Sequence, residues 1–173
     1  MNLQKLQASL ELQHKAPVEK WDPPFCGDID IRIESDGRWF YMGSPITRQA
    51  LVKLFATVLK KENDEYFLVT PVEKVRIQVV DLPFVITEWD QVELEGKEPW
   101  LRVHTNIGER YVLSAAHPLC VHEKLPAVEI RDQLLARVHR NVYYQWADLA
   151  QIDDNGNFYL TSGTERFVLS VEE

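Results

Sequence analysis

Cysteine is nearly missing from this chain. Cys26 and Cys120 are the two present in 173 residues, so a disulfide framework is excluded, and free thiols in a reducing, cytoplasmic compartment are expected. Long apolar runs are also missing, which excludes a helical membrane span. The N-terminus has no cationic stretch followed by an apolar one, so secretion is not expected. Positive charge is in short supply: 19 Lys and Arg stand against 27 Asp and Glu, a net charge of −8. A nucleic-acid binder needs a basic face, so that class is excluded, whereas a small basic pocket for a small anion stays open. With 7 glycines, the chain offers neither a glycine-rich phosphate loop nor a G-x-S-x-G elbow. No reaction motif is present, so whether the protein is an enzyme is left open, and no cofactor is implied.

What is present suits an α+β protein. A 45% hydrophobic content over this length can bury a core as one domain or two small ones. Leu3, Leu6 and Leu10 predict a helix over 2–15, closed by Pro17. "DIDIRIE" alternates, with Ile29, Ile31 and Ile33 on one face and Asp28, Asp30, Arg32 and Glu34 on the other, the pattern of a half-buried strand. Asp36-Gly37 turns it into "RWFYM". Leu51, Leu54, Phe55, Val58 and Leu59 predict an amphipathic helix over 47–61, capped by Ser44 or Thr47 and ending on Lys60 and Lys61.

"EYFLVT" and "EKVRIQVV" read as further strands, and the boundary between halves is expected near residues 81–87. In the second half, "WLRVHTN" and "RYVLSA" predict a hairpin, and "HPLCVHEKLP" a loop or edge strand. Ile130, Leu134, Leu135 and Val138 predict a helix over 129–139, and "NVYYQWADLA" another. Asn155-Gly156 and Ser162-Gly163 predict a closing hairpin. The organisation expected is an N-terminal helix (1–17), a first strand/helix half (18–84) and a second (85–173), with mostly antiparallel sheets and an amphipathic helix in each half. "DGRWFYMGSP" and "NGNFYLTSGT" echo one another, a hint of duplication.

The phrases "GDIDIRI", "DGRWFYMGSPITR", "LVKLFATVL", "LVTPVEKVRI" and "DLPF", followed by "HPL", "VEIRDQLLARVHRNVYYQWADLA" and "SGTERF", resemble the bacterial family called domain of unknown function 1285. The resemblance covers about residues 23–170. It implies duplicated halves, a second half like a pleckstrin-homology fold, a nucleotide-like ligand at the interface of the halves, and a role in signalling. The family's closing phrase has two glycines after the serine; this chain has one, in Ser162-Gly163-Thr164.

Candidate binding residues follow from charge and position. Arg48 lies where a helix begins, a place unfavourable for a cation unless a carboxylate or a bound anion offsets it; the alternative is an ordinary ion pair. In "TPVEK", Thr70, Glu73 and Lys74 flank a strand break at Pro71; Lys74 suits a phosphate and Glu73 a ribose or base, or the pair braces the sheet. Arg32 either balances its acidic strand face or, if covered, needs buried partners. Arg131, Arg137 and Arg140 cluster in the second half, with Arg137 and Arg140 three residues apart on an expected helix face. Trp39 and Tyr41 alternate on a strand, to stack a base or to pack the core.

His104, His117, Cys120 and His122 lack metal-ligand spacing, so no metal site is expected. The reading is a small-ligand-binding protein for an anion. A module that docks a protein partner on the acidic 88–98 segment, or an enzyme using Glu73 or Asp30 as acid or base, are the alternatives.

Overall fold

Alternation in "DIDIRI" sets the first unit. In the computed structural model, which describes residues 17–94, 96 and 98–170, β1 (Phe25–Ile33) buries Ile29, Ile31 and Ile33 and exposes Asp28, Asp30 and Arg32. The helix expected over 2–15 lies outside the described residues. The chain divides into two units, Met1–Asp81 and Leu82–Glu173.

In the first unit β2 (Trp39–Tyr41) pairs antiparallel with β1, Trp39 opposite Ile33 and Tyr41 opposite Ile31. The short β3 (Ser44–Pro45) follows through Met42-Gly43, both with positive φ. Helix α1 (Gln49–Thr57) buries Leu51, Val52, Phe55 and Ala56, and Phe55 stacks on Trp39 with ring centroids 6.3 Å apart. This helix is shorter than the sequence predicts. Ser44 belongs to β3 rather than to a cap, and Arg48 is the N-cap residue, without a side-chain capping bond. After Thr57 the chain becomes β4 (Leu59–Glu62), because Leu59 gains a buried cross-strand partner in Leu68 of β5 (Glu65–Val69). Sheet pairing thus overrides helix periodicity there. Lys60 and Lys61 are strand residues.

The last strand, β6 (Lys74–Val79), returns to the centre beside β1. The strand order is β3-β2-β1-β6-β5-β4, parallel at β1/β6 and antiparallel elsewhere.

The second unit repeats this plan. Strands β7 (Phe84–Val92), β8 (Trp100–Thr105) and β9 (Arg110–Val112) form one meander. A second meander consists of β10 (Leu119–His122), β11 (Leu125–Arg131) and β12 (Leu134–Val138). Their order is β10-β11-β12-β7-β8-β9, again with a parallel pair, β12/β7, at the centre. The match extends to a hydrogen bond: Val80 N–H donates to the Ile33 carbonyl (2.9 Å), and His139 N–H to the Ile86 carbonyl (3.0 Å). The two sheets are duplicates in topology.

The helices are not in equivalent places. Helix α1 joins the two meanders of its unit, whereas α2 (Arg140–Leu149) follows β12 and buries Val142 and Trp146. The helix expected over 129–139 is absent. That segment is the β11–β12 hairpin, turning at Asp132-Gln133 with φ of 45° and 66°. A three-stranded sheet, β13 (Gln151–Ile152), β14 (Phe158–Ser162) and β15 (Glu165–Ser170), completes the unit. The echoing phrases therefore fall in β2 and β14, which are not equivalent strands of the repeat. Ser162 is fully buried; its hydroxyl donates to the Leu113 carbonyl (2.7 Å) and accepts from Leu101 N–H (2.9 Å). Gly163 follows at φ +56°, and a Cβ there would fall inside the Trp100 indole. The glycine is required by a close approach as well as by its backbone.

Candidate functional site

The polar face of the first sheet carries charges of both signs above aromatic rings. From β6, Arg76 lies over Phe25 (5.3 Å to the ring centroid) and Lys74 over Phe67 (4.5 Å). Arg32 of β1 lies over Phe40 of β2 at 5.8 Å. Each cation is also held by a carboxylate. Asp28 spans Arg76 at 2.6 and 3.1 Å, and Glu65 takes a third hydrogen bond at 3.3 Å. Lys74 bonds Glu62, which also pairs with Lys60 at 3.1 Å. Arg32 pairs with Glu34 at 2.7 Å. The bond from Arg76 holds the Asp28 carboxyl below its usual range, and the bond from Lys74 does the same for Glu62.

Between β1 and β6 this face opens. From Asp28↔Arg76 to Arg32↔Gln78, β1 advances four residues and β6 two, so the parallel register is broken. A groove of about 440 Å³ lies at the break, lined by Asp28, Ile29, Asp30, Arg76, Ile77 and Gln78. Bulged strands commonly re-aim side chains in this way beside binding sites.

Of the residues singled out from sequence, Trp39 is a core residue at 2% exposure. Its indole N–H has no hydrogen-bond partner among the described residues. Tyr41 is half-buried on β2. Thr70 is buried; its hydroxyl accepts from Glu73 N–H (3.0 Å) and Val72 N–H (3.3 Å), closing the turn before β6. Glu73 is half-buried in that turn. In the second unit Arg131 lies over Phe84 at 5.9 Å.

Arg137 is not on a helix face with Arg140. It is on β12, 9% exposed, and donates to the carbonyls of His122 (3.1 Å), Leu125 (3.1 Å) and Pro126 (3.3 Å). It ties the β10–β11 turn to the sheet. Arg140 opens α2 and is exposed. Arg48 is likewise exposed, directly before α1. Neither α1 nor α2 has an acidic residue in its first turn.

The acidic segment is only partly a solvated surface. Asp90 of β7 is bridged by Arg102 of β8, through Nε at 2.9 Å and a second guanidinium nitrogen, and His104 Nε2 lies 3.2 Å from it. The Arg102 bond, aided by His104 and opposed by desolvation, lowers the Asp90 carboxyl to about 2. Burial and the bond to Glu109 push the Tyr111 hydroxyl up, and burial raises the Cys120 thiol.

Residues 16–82 match the family model "Domain of unknown function (DUF1285), N-terminal domain", and residues 83–169 match "Protein of unknown function (DUF1285), C-terminal domain". The chain belongs to the DUF1285 family. Crystal structures of two bacterial members are similar to it. A DUF1285 family protein from Silicibacter pomeroyi is 40% identical, with a TM-score of 0.83 over 95% of this chain and 94% of that one. A DUF1285 family protein from Shewanella baltica is 30% identical, with a TM-score of 0.56 over 68% of this chain and 90% of that one. No curated protein matches. Among the described residues, no helix of this DUF1285 chain is long and apolar enough to cross a membrane.

Sequence reasoning passed over Arg76, Gln78 and Asp28 as groove residues. The signal available was the polar face of "KVRIQV", on which Arg76 and Gln78 lie two and four residues beyond the marked Lys74. That this strand would lie beside "DIDIRI", out of register, is a long-range fact that neither phrase encodes.

Proposed function

We propose that this DUF1285 chain is a small-ligand-binding protein whose ligand is anionic and nucleotide-like, with a role in signalling. The observation that carries the proposal is that α1 and α2 both open on an exposed arginine, Arg48 and Arg140, with no acid in the first turn. A helix N-terminus presents unpaired N–H groups and partial positive charge, so a guanidinium there is unfavourable by about 0.3–1 kcal/mol in the free protein. At α1, which has no side-chain cap, a phosphate or carboxylate removes that penalty and accepts from both the backbone and the arginine fork; at α2 the His139 ring already accepts from Asn141 N–H (3.1 Å), so the Arg140 fork is the main donor. Neither Arg48 nor Arg140 has an ion pair among the described residues, whereas Arg32 and Lys74 do. Arg48 and Arg140 are therefore the preferred contacts. Tyr41 is the remaining candidate for the flat part of the ligand, since Trp39 is core. The pleckstrin-homology-like character of the second unit and a cytoplasmic location belong to the same reading.

Isothermal titration against a panel of mono-, di- and cyclic nucleotides tests it. One charge-assisted contact is worth about 1.5–3 kcal/mol, so Arg48→Ala or Arg140→Ala weakens a hit at least about tenfold. No saturable binding across the panel, or affinities unchanged in both variants, overturns the proposal.

A further inference from the structure

The groove at the β1/β6 break has the wrong charge for an anion. Its arginine is already occupied: Arg76 is spanned by Asp28 and bonded by Glu65. Arg32, the next cation on β1, is taken by Glu34. That leaves the Asp30 carboxylate without an ion pair among the described residues, on the same face as Asp28. Of the lining residues, Asp28 and Asp30 stand against Arg76, so acids exceed bases by one. Gln78 lines the groove from the opposite strand, with an amide that both donates and accepts and has no side-chain bond among the described residues. The volume, about 440 Å³, falls within the span of small-molecule sites, roughly 300–1,000 Å³.

We propose that this groove binds a small ligand carrying a protonated amine or guanidinium, paired with Asp30 and hydrogen-bonded by Gln78. The broken register is what makes the site. In a regular parallel pair, adjacent strands lie about 4.7–4.9 Å apart and leave no room for a ligand between them. Here β1 carries two residues more than β6 between the paired positions, and Asp30 and Gln78 both line the recess at that break. The Asp28–Arg76–Glu65 cluster holds one rim in place and contributes no free positive charge to repel a cation. One exposed ion pair contributes little, so the Gln78 bonds and the fit to the recess must supply most of the affinity. The expected dissociation constant is near the millimolar range, about −4 kcal/mol. This inference is independent of the anion proposal and concerns different residues.

The full chain is titrated with putrescine and agmatine, and in parallel with butane-1,4-diol and succinate, which keep a four-carbon chain but are neutral or anionic. Binding is read by calorimetry and by backbone amide shifts. A cationic probe is expected to saturate, to move the amides of 28–30 and 76–78, and to weaken as salt rises. Asp30→Asn reduces its affinity by about two- to fivefold and Gln78→Ala by at least as much, while Asp154→Asn, on an exposed turn of the second unit, leaves it unchanged. Both groove substitutions are on the sheet surface, and circular dichroism verifies their folding. No saturation by either cation up to about 10 mM would overturn the proposal. So would equal binding of the diol or succinate, amide shifts elsewhere on the chain, or affinity indifferent to Asp30→Asn.

Discussion

Replacing Ser162 by alanine removes one oxygen and strands two backbone groups. The hydroxyl is the partner of both the Leu101 N–H and the Leu113 carbonyl, in a position closed to solvent. Alanine fits the space but returns neither bond. A buried backbone group left unpaired costs about 1–3 kcal/mol, so the pair together should cost about 2–4 kcal/mol after partial relaxation. That is a large share of a typical stability of about 5–15 kcal/mol. With a urea slope of about 2 kcal/mol per molar, a loss near 3 kcal/mol lowers the midpoint by about 1.5 M. Tryptophan fluorescence reads the transition: Trp89, Trp100 and Trp146 report on the second unit, Trp21 and Trp39 on the first. If the units unfold separately, only the second transition should move. Thr161→Ala, at an exposed site on the same strand, is the control and should stay within about 0.5 kcal/mol. A Ser162→Ala midpoint within about 0.3 M of the parent would refute the assignment of Ser162 as a structural bracket.

Two further outcomes follow from the geometry. Asp90 is lowered from 3.8 to about 2 by the bond from Arg102. A depressed folded value contributes stability above the unfolded one, lost as pH falls from about 4 to about 2; acid titration of stability should show a shallower slope there in Asp90→Asn. Gln133 holds φ 66° in the β11–β12 turn, a region that disfavours side chains by about 1–2 kcal/mol. Gln133→Gly should therefore raise the stability to urea unfolding by up to about 1 kcal/mol; a loss of stability would show that the Gln133 side chain matters more than its backbone.

Strands whose alternation is strict were legible: Ile29, Ile31 and Ile33 face inward as their spacing requires, and "NVYYQWADLA" is a helix. The β11–β12 hairpin was not. Its turn uses Asp132-Gln133 instead of Asn-Gly, so no local signal broke the run, and Ile130, Leu134 and Val138 mimic a helical stripe. The end of α1 failed for a related reason: Val58 and Leu59 fit a helix face, but Leu59 is claimed by Leu68, nine residues on. At the site, the type of residue was readable and the neighbour was not. Arg32, Lys74 and Arg137 were marked from sequence as candidate ligand contacts; in the structure Arg32 is held by Glu34, Lys74 by Glu62 and Arg137 by three backbone carbonyls. Which carboxylate or carbonyl would meet each is decided by strand order, and strand order is set by pairings dozens of residues apart.

That strand order bears on how the first unit would respond to load. Its first and last strands, β1 and β6, run side by side in the same direction at the centre of the sheet, so the chain enters at one end of this pair and leaves at the other. Tension applied through the unit's two ends would shear the central ladder, straining its bonds together instead of unzipping them one at a time.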